Sequence, residues 1–262
     1  WLRPIGIKIG HTLHGKESQR IDWPPSILQE EVPRQVRNSS CRSYIIYSAM
    51  PAYDLVFFDC DSTLSSIEGI DELASRAGVD VSELTNAAMD GYLPMEDVYR
   101  KRLEMINPAP KDFEWLSRLY ILTAIKDAKS VITKLHACKV DVHIISGGLL
   151  PSILAFAHHL GIAPDRVHAV PYDCDNPEPS YAHPLANNGG KPVVAESVGT
   201  NLGVPRERRL LIGDGVSDLE ASSVVGQFVG FGGIVERDAV KSEATQYIAG
   251  PLLEPLLDIV LQ

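Results

Sequence analysis

The sequence lacks a long hydrophobic run. Its 262 residues are 45% hydrophobic and 22% charged, a composition typical of soluble globular proteins. No apolar stretch approaches the roughly 18 residues that a membrane-spanning helix needs, so we expect no membrane partner. The length favours one domain with an insertion, or two small domains.

Cysteine is also scarce. The four cysteines are Cys41, Cys60, Cys138 and Cys174, and no two of them form a C-x-x-C pair. This spacing argues against a zinc site and a disulfide framework, and it favours a reducing compartment. We therefore expect a cytoplasmic location, and we interpret Cys60 as a small buried side chain.

Positive charge is scarce beyond the first 50 residues. Residues 1–50 hold 7 Lys and Arg against 4 Asp and Glu, whereas residues 51–262 hold 17 against 30. The body of the chain thus has a formal charge of −13 within a total of −10. An acidic body argues against a nucleic-acid partner, because binding a phosphate backbone needs a basic surface. A single small phosphate at a local site remains compatible with it.

Residues 1–50 show no clear hydrophobic period, and the first methionine of the chain is Met50. Two interpretations stand. The basic excess and several serines are typical of an organelle-targeting segment; alternatively, the stretch is a leader that is not native, with initiation at Met50. We favour the leader, and under both interpretations we expect residues 1–50 to be poorly ordered and outside the site.

The rest of the chain predicts an α/β protein. A strand-like apolar run, Tyr53–Phe58, precedes a stretch with helical periodicity and helix stop signals. The four predicted helices of this stretch are Gly69–Ala77, Ser82–Met89, Met95–Ile106 and Lys111–Tyr120. We therefore predict a small four-helix cap over residues 66–124, inserted into a core of residues 51–65 and 125–262.

Helices and strands alternate after the cap. The predicted helices are Ala128–Cys138, Leu149–Leu160, Pro192–Leu202, Asp218–Val225 and Leu252–Leu261, and the predicted strands are Val140–Ile145, Arg209–Ile212 and Phe228–Phe231. Residues 169–190, rich in Pro, Asp and Asn, are interpreted as a loop or irregular hairpin. Alternation of this kind predicts a Rossmann-like parallel sheet, with ligands at the carboxyl ends of its strands.

Polar residues and glycines follow these predicted strands. Asp59 and Asp61 are two positions apart, so in extended backbone they face the same side. Each of these polar or glycine residues, taken alone, also fits an ordinary turn. Their joint occurrence at strand ends indicates one site. The residues concerned are Asp59, Asp61, Thr63, Ser146, Gly147, Gly148, Lys191, Asp214 and Asp218.

Phosphoryl transfer suits this set of side chains. It needs a nucleophile, cations to offset the phosphoryl charge and a proton donor for the leaving alcohol. A carboxylate can be the nucleophile, and Mg²⁺ prefers one or two carboxylates with phosphate oxygens. Asp59 and Asp214 can supply those carboxylates, Lys191 can screen two anions, and Ser146 with the Gly147 amide can hold a phosphate oxygen.

In this order the motifs resemble those of the haloacid-dehalogenase-like phosphatases. The resemblance is closer to the phosphoserine phosphatase branch and covers residues 54–250. The matching segments are Asp59-Cys60-Asp61-Ser62-Thr63, Glu68-Gly69-Ile70-Asp71-Glu72-Leu73, Ile145-Ser146-Gly147-Gly148, Gly189-Gly190-Lys191, Ile212-Gly213-Asp214-Gly215 and Phe231-Gly232-Gly233.

This resemblance implies a role for each matched residue. Asp59 would be the nucleophile, and Asp61 would protonate the leaving oxygen and then activate water. Mg²⁺ would be held by Asp59, the main-chain carbonyl of Asp61 and Asp214, with Asp218 in support. The phosphoryl group would bind Ser146, Gly147, Gly148 and Lys191; Thr63 would orient the nucleophile; Glu68 would bind the substrate ammonium and Arg102 its carboxylate.

The chain departs from the family pattern at a few positions. Met89-Asp90-Gly91 replaces the common Met-Gly-Gly, whose backbone lies near the substrate, and Ser217 replaces Asn or Thr. Lys126-Asp127 replaces Pro-Gly, and residues 171–188 are shorter and richer in proline than the usual hairpin. We expect Met89, Asp90, Gly91 and Ser217 to contact the substrate, and we expect these departures to affect substrate choice and kinetics rather than reaction type.

The resemblance implies Mg²⁺-dependent hydrolysis of O-phosphoserine through an aspartyl-phosphate, a step of serine biosynthesis, by a monomer or homodimer. One alternative keeps the chemistry but changes the substrate to another phospho-alcohol or a sugar phosphate. A second alternative is a non-catalytic module that binds phosphometabolites. The acids, the serine and the lysine assigned to phosphoryl transfer are all present, which favours an enzyme.

Overall fold

The computed structural model describes residues 50–81, 84 and 95–262. Some sequence predictions fall outside these residues and are not described further: the order of residues 1–49, the helix Ser82–Met89, and the substrate contacts of Met89, Asp90 and Gly91.

A six-stranded parallel sheet forms the centre of the described part of the chain, in the order β3-β2-β1-β4-β5-β6. Its strands are β1 Leu55–Phe58, β2 Asp141–Leu149, β3 Val167–Val170, β4 Arg209–Gly213, β5 Gln227–Phe231 and β6 Gln246–Ile248. All four residues of β1 are buried, because a central strand of a parallel sheet is covered on both faces. The predicted α/β Rossmann-like fold is confirmed.

Where they have nine or more residues, the helices of the described part of the chain lie close to their predicted positions. They are α1 Gly69–Ala77, α2 Met95–Ile106, α3 Pro110–Leu122, α4 Ala128–Ala137, α5 Leu150–Leu160, α6 Glu178–Tyr181, α7 Gly190–Asn201, α8 Val216–Leu219, α9 Asp238–Glu243 and α10 Pro255–Val260. Helix α1 ends where predicted because Gly78 adopts the left-handed conformation, with φ of 69°, that glycine takes most easily. No helix of the described residues is long and apolar enough to cross a bilayer.

The segment between β1 and α4 carries α1, α2 and α3. An isolated antiparallel bridge pairs Ser65 with Ala124, and the Ser66 amide donates to the carbonyl of Thr123 over 3.0 Å. Both ends of the segment therefore meet at the positions where the sequence analysis divides cap from core. This pairing supports the predicted division, which stays a prediction.

Two sequence predictions about the second half of the sheet are wrong. Strand β2 does not stop at Ser146 but continues to Leu149, because after a register shift Leu149 pairs with Val170 of β3. Residues 169–190 do not form a hairpin: the first two belong to β3, and the rest contain α6 and a short 3₁₀ turn, Pro184–Ala186. Strands β3 and β6 and helices α6 and α9 were not predicted, since segments of three to six residues are too short to show a hydrophobic period.

The order of the strands brings the ends of β1 and β4 together. Phe58 lies opposite Ile212 in the register of these neighbours, and the Asp59 amide donates to the Ile212 carbonyl over 2.9 Å. Chain order also reverses here, since β2 and β4 flank β1 on opposite sides. Ligands of open α/β sheets bind outside such a reversal point.

Candidate active site

The turn after β1 holds the two acids of the first motif. Asp59 is 5% exposed, and Asp61 follows it at the rim of a cavity that both residues line. Ser62 has a positive φ of 53°, and the amides of Leu64 and Ser65 return to the Cys60 carbonyl. This tight turn lets both carboxylates reach the cavity while the chain reverses.

Three buried carboxylates converge beside this turn. Ligand oxygens of Asp59, Asp214 and Asp218 all lie within 4.8 Å of one another. Burial, followed by the charge of Asp59, raises the pKa of Asp214 and that of Asp218 to about 7. Such a cluster fits a cation, because a positive ion relieves both the desolvation and the mutual repulsion. This acidic triad can therefore bind a metal ion.

Lys191 lies against this triad at the start of α7. Its ammonium donates to Asp59 Oδ1 over 2.7 Å and to Asp218 Oδ1 over 2.6 Å. Burial alone would lower the pKa of Lys191, but the charges of Asp218 and Asp59 raise it above its ordinary value. Lys191 is therefore a permanent buried cation next to the nucleophile candidate.

The position of Lys191 depends on the residue before it. A Cβ on Gly190 would lie 1.8 Å from the carbonyl oxygen of Pro184, so only glycine allows α7 to begin this close to the Pro184–Ala186 turn. The Gly-Gly-Lys sequence is thus a packing requirement that aims the ammonium into the cavity.

The end of β2 supplies a second wall of the cavity. The amide of Gly148 donates to Ser146 Oγ over 2.9 Å, which fixes the serine hydroxyl, and Tyr99 of α2 donates to the Gly147 carbonyl over 3.0 Å. Ser146 and Gly147 both line the cavity together with the triad. Gly148 does not line the cavity itself, and it acts through Ser146.

Two cap residues with opposite charges lie on the far side. Glu68 Oε1 accepts a hydrogen bond from Ser62 over 2.7 Å. Arg102 forms an ion pair with Asp71, while its Nε is buried without a hydrogen-bond partner among the described residues. An unpaired buried donor is costly, and Arg102 is one of the residues that line the cavity.

The cavity that these groups enclose has a volume of about 250 Å³. Ten of the residues predicted for the site line it together: Asp59, Asp61, Glu68, Arg102, Ser146, Gly147, Lys191, Asp214, Ser217 and Asp218. Thr63 lies outside it, fully buried, with its hydroxyl 3.5 Å from Asp214 Oδ1. Residues dispersed over 160 positions of sequence thus meet at one edge of the sheet.

Other lining residues were missed from the sequence. Arg237 forms an ion pair with Asp214 over 3.1 Å. Tyr99, which donates to the Gly147 carbonyl, also lines the cavity. Asn187 and Asn188 come from the segment interpreted as a loop. No motif marks any of these positions, although Arg237 stands shortly after the matched Phe231-Gly232-Gly233 segment, which could have drawn attention to it.

Comparisons with known proteins agree with this geometry. Residues 53–226 match the family model of the haloacid dehalogenase-like hydrolases. Phosphoserine phosphatase of Rattus norvegicus is 34% identical over 206 residues, covering 74% of this chain and 88% of that protein. The chloroplastic phosphoserine phosphatase of Arabidopsis thaliana is 32% identical over 199 residues, covering 73% and 67%.

A solved structure is also similar. It is described as a phospho-aspartyl intermediate analogue of phosphoserine phosphatase, and it matches with a TM-score of 0.66 at 26% identity. The match covers 79% of this chain and 99% of that one.

Proposed function

Since the chain belongs to the haloacid dehalogenase-like hydrolase family, we propose that it hydrolyses O-phosphoserine to serine and phosphate, with Mg²⁺, through an aspartyl-phosphate on Asp59. One observation carries this proposal: Asp59 is buried in the cavity, hydrogen-bonded to Lys191, with two further carboxylates within 4.8 Å. Lys191 holds the Asp59 carboxylate in place for attack on phosphorus.

Asp61 is the proposed acid and base. Burial, followed by the charge of Glu68, raises the pKa of Asp61 well above its usual range, so its carboxyl holds a proton more readily than an ordinary Asp and suits a general acid. It gives this proton to the serine oxygen as the Asp59–phosphorus bond forms and the phosphorus–serine bond breaks. The resulting Asp61 carboxylate then takes a proton from the water that cleaves the phosphoenzyme.

Mg²⁺ is the proposed metal of the acidic triad. Asp59 and Asp214 would hold it with the main-chain carbonyl of Asp61, and Asp218 would support them by fixing Lys191. When bound, it supplies positive charge against the phosphoryl oxygens. Ser146 and Gly147, from the end of β2, and Lys191, beside the triad, hold the same phosphoryl group, while Thr63 steadies Asp214 across 3.5 Å.

Glu68 and Arg102 select the amino-acid part of the substrate. A zwitterion carries one cation and one anion, and the cavity presents one acid and one guanidinium on its cap side. The buried Nε of Arg102 gains a partner when a carboxylate binds, which offsets the cost of leaving it unpaired. The family relatives named above are phosphoserine phosphatases, in keeping with this substrate.

A panel of phosphate esters tests the proposal. Phosphate release is measured with Mg²⁺ for O-phosphoserine, other phospho-alcohols, a sugar phosphate and para-nitrophenyl phosphate, with Asp59→Asn as the inactive control. We expect kcat/KM to be highest for O-phosphoserine, by about tenfold or more, since a lost charge pair costs at least this much. Faster hydrolysis of a sugar phosphate would favour the alternative substrate class. No phosphate release from any ester would indicate a non-catalytic binding module.

The proposal also covers the pathway, the location and the partners of the protein. We propose that the reaction serves serine biosynthesis, that the protein acts in the cytoplasm, and that it is a monomer or homodimer without a nucleic-acid or membrane partner. The Arabidopsis relative is named as chloroplastic, so a fluorescent fusion of the full chain must distinguish the cytoplasm from an organelle.

A further inference from the structure

Tyr120 is a buried side chain that the reaction as described above does not use. It lies on α3, fully buried, with its ring stacked on that of Phe156 at a centroid distance of 5.5 Å. Its hydroxyl donates to Asp61 Oδ1 over 2.6 Å. A short hydrogen bond from a rigidly packed phenol restricts the rotation of the carboxyl group that accepts it.

A second donor approaches the same oxygen. The amide of Gly69, the first residue of α1, lies 3.4 Å from Asp61 Oδ1. A Cβ on Gly69 would come within 2.0 Å of the Tyr120 hydroxyl. The absence of a side chain at position 69 therefore makes room for this hydroxyl. The Tyr120 hydroxyl and the Gly69 amide thus act together on one oxygen of Asp61.

The other oxygen of Asp61 faces the opposite way. The point that a Cβ of Gly148 would occupy is 3.5 Å from Asp61 Oδ2 and 3.1 Å from Ser146 Oγ. Oδ2 is thus directed toward the wall formed by Ser146 and its neighbours, where the phosphoryl group is proposed to bind. Both hydrogen bonds that Asp61 receives from described residues go to Oδ1.

We infer that Tyr120 is a positioning residue that fixes Asp61 Oδ2 as the oxygen which exchanges protons with the substrate. This inference rests on the proposed function and deepens it. While Tyr120 and Gly69 both donate to Oδ1, the carboxylic acid carries its proton on Oδ2. The Oδ2–H bond breaks as the proton passes to the ester oxygen, the phosphorus–oxygen bond breaks and the Asp59–phosphorus bond forms. Asp61 is then a carboxylate, with Oδ2 free to take a proton from water.

The leaving group distinguishes this role from a merely structural one. An alkoxide such as that of serine needs a proton to leave, whereas para-nitrophenolate leaves without one. The parameter kcat/KM covers only the steps up to release of the alcohol, so hydrolysis of the shared phosphoenzyme does not obscure the comparison. A misplaced Asp61 therefore lowers kcat/KM for O-phosphoserine more than for para-nitrophenyl phosphate.

Tyr120→Phe removes the hydroxyl and keeps the stacked ring. We expect the ratio of the two kcat/KM values to fall about tenfold or more, because proton transfer by a positioned side chain contributes about 10²–10⁴-fold. Gly69→Ala displaces the hydroxyl from the other side and should lower the ratio in the same direction. Tyr53→Phe, which removes a hydroxyl bonded to Gln227 at the opposite end of β1, is the matched control and should leave the ratio unchanged.

The outcomes separate the inference from the proposed function. If wild-type protein hydrolyses O-phosphoserine and folded Tyr120→Phe and Gly69→Ala lower kcat/KM equally for both esters, the function stands and the role of Tyr120 is wrong. Thermal melting identifies a variant that fails to fold. If Tyr120→Phe fails, Gly69→Ala decides alone. A wild-type chain inactive on both esters would overturn the function and the inference together.

Discussion

The ammonium of Lys191 donates a hydrogen bond to the carboxylate of Asp59 across 2.7 Å, although 132 positions separate the two residues. The same ammonium bonds Asp218, so one buried cation links two members of the acidic triad. A buried charge is tolerated only when it is paired and hydrogen-bonded. The cation and the carboxylates therefore depend on each other.

Replacing Lys191 by methionine should remove this support at nearly constant volume. We expect kcat/KM for phosphate esters to fall at least about 100-fold, the typical loss when a preorganised charge-stabilising group is deleted. In the absence of metal the free energy of unfolding should also fall, by about 3–5 kcal/mol, because breaking a buried ion pair leaves uncompensated charge. Lys241→Met, which breaks an exposed pair with Glu236, is the control, and near-normal activity of Lys191→Met would contradict the assignment.

Asp59→Asn should abolish turnover while the protein stays folded. The amide has nearly the same shape but cannot form the acyl phosphate, so we expect phosphate release below about one part in 10⁴ of wild type. Circular dichroism and thermal melting report the fold. Asp54→Asn makes the same change near the start of the same strand, in a half-buried pair with Arg208, and should retain activity. Full turnover by Asp59→Asn would exclude the covalent mechanism.

The meeting of Asp59 and Asp214 could be predicted from the sequence because it depends on the backbone. Each residue follows an apolar strand, and the carboxyl ends of parallel strands lie at one edge of the sheet. The same reasoning places Ser146 in this cavity. Lys191 does not follow a strand: it stands at the start of α7, and its position depends on how Gly190 packs against Pro184.

Tyr120 and Arg237 could not be predicted, because their contacts depend on packing across distant elements. The aromatic ring at position 120 fits the apolar period of α3, and that period gives no sign that its hydroxyl reaches Asp61. Arg237 stands just before α9, a helix too short for periodicity to reveal. The continuation of β2 through Ser146-Gly147-Gly148 was missed for a related reason: glycines usually interrupt strands, but here the backbone of β3 remains as a partner.

Glu68→Gln and Arg102→Ala should harm hydrolysis of O-phosphoserine more than that of an aryl phosphate. The two charges meet the ammonium and carboxylate of the amino acid, which para-nitrophenyl phosphate lacks. We expect KM for O-phosphoserine to rise about tenfold or more, since each charged hydrogen bond contributes about 1.5–3 kcal/mol. Arg100→Ala is the matched control, because Arg100 lies two positions earlier on α2 and pairs with exposed Glu178. Equal losses on both substrates would contradict a clamp for the zwitterion.

Mg²⁺ should stabilise the protein more strongly as pH rises through neutrality. Burial and the charge of Asp59 raise the pKa of Asp214 and that of Asp218 to about 7, whereas both return to about 4 in the unfolded chain. Between these values the folded state holds protons that the unfolded state has lost, so stability without metal falls as pH rises. Mg²⁺ must displace these protons below the folded pKa but not above it.

The melting temperature with and without Mg²⁺ measures this coupling. We expect Mg²⁺ to raise the melting temperature by several degrees more at about pH 8 than at about pH 5.5. A ligand that binds the folded state stabilises it more when it binds more tightly. Asp214→Asn removes a titrating ligand, so its increase should be small at both pH values. Asp54→Asn should behave as wild type, since Asp54 lies near the start of β1, away from the acidic triad. A Mg²⁺ effect of equal size at both pH values in the wild type would show that the ion binds elsewhere than among Asp59, Asp214 and Asp218.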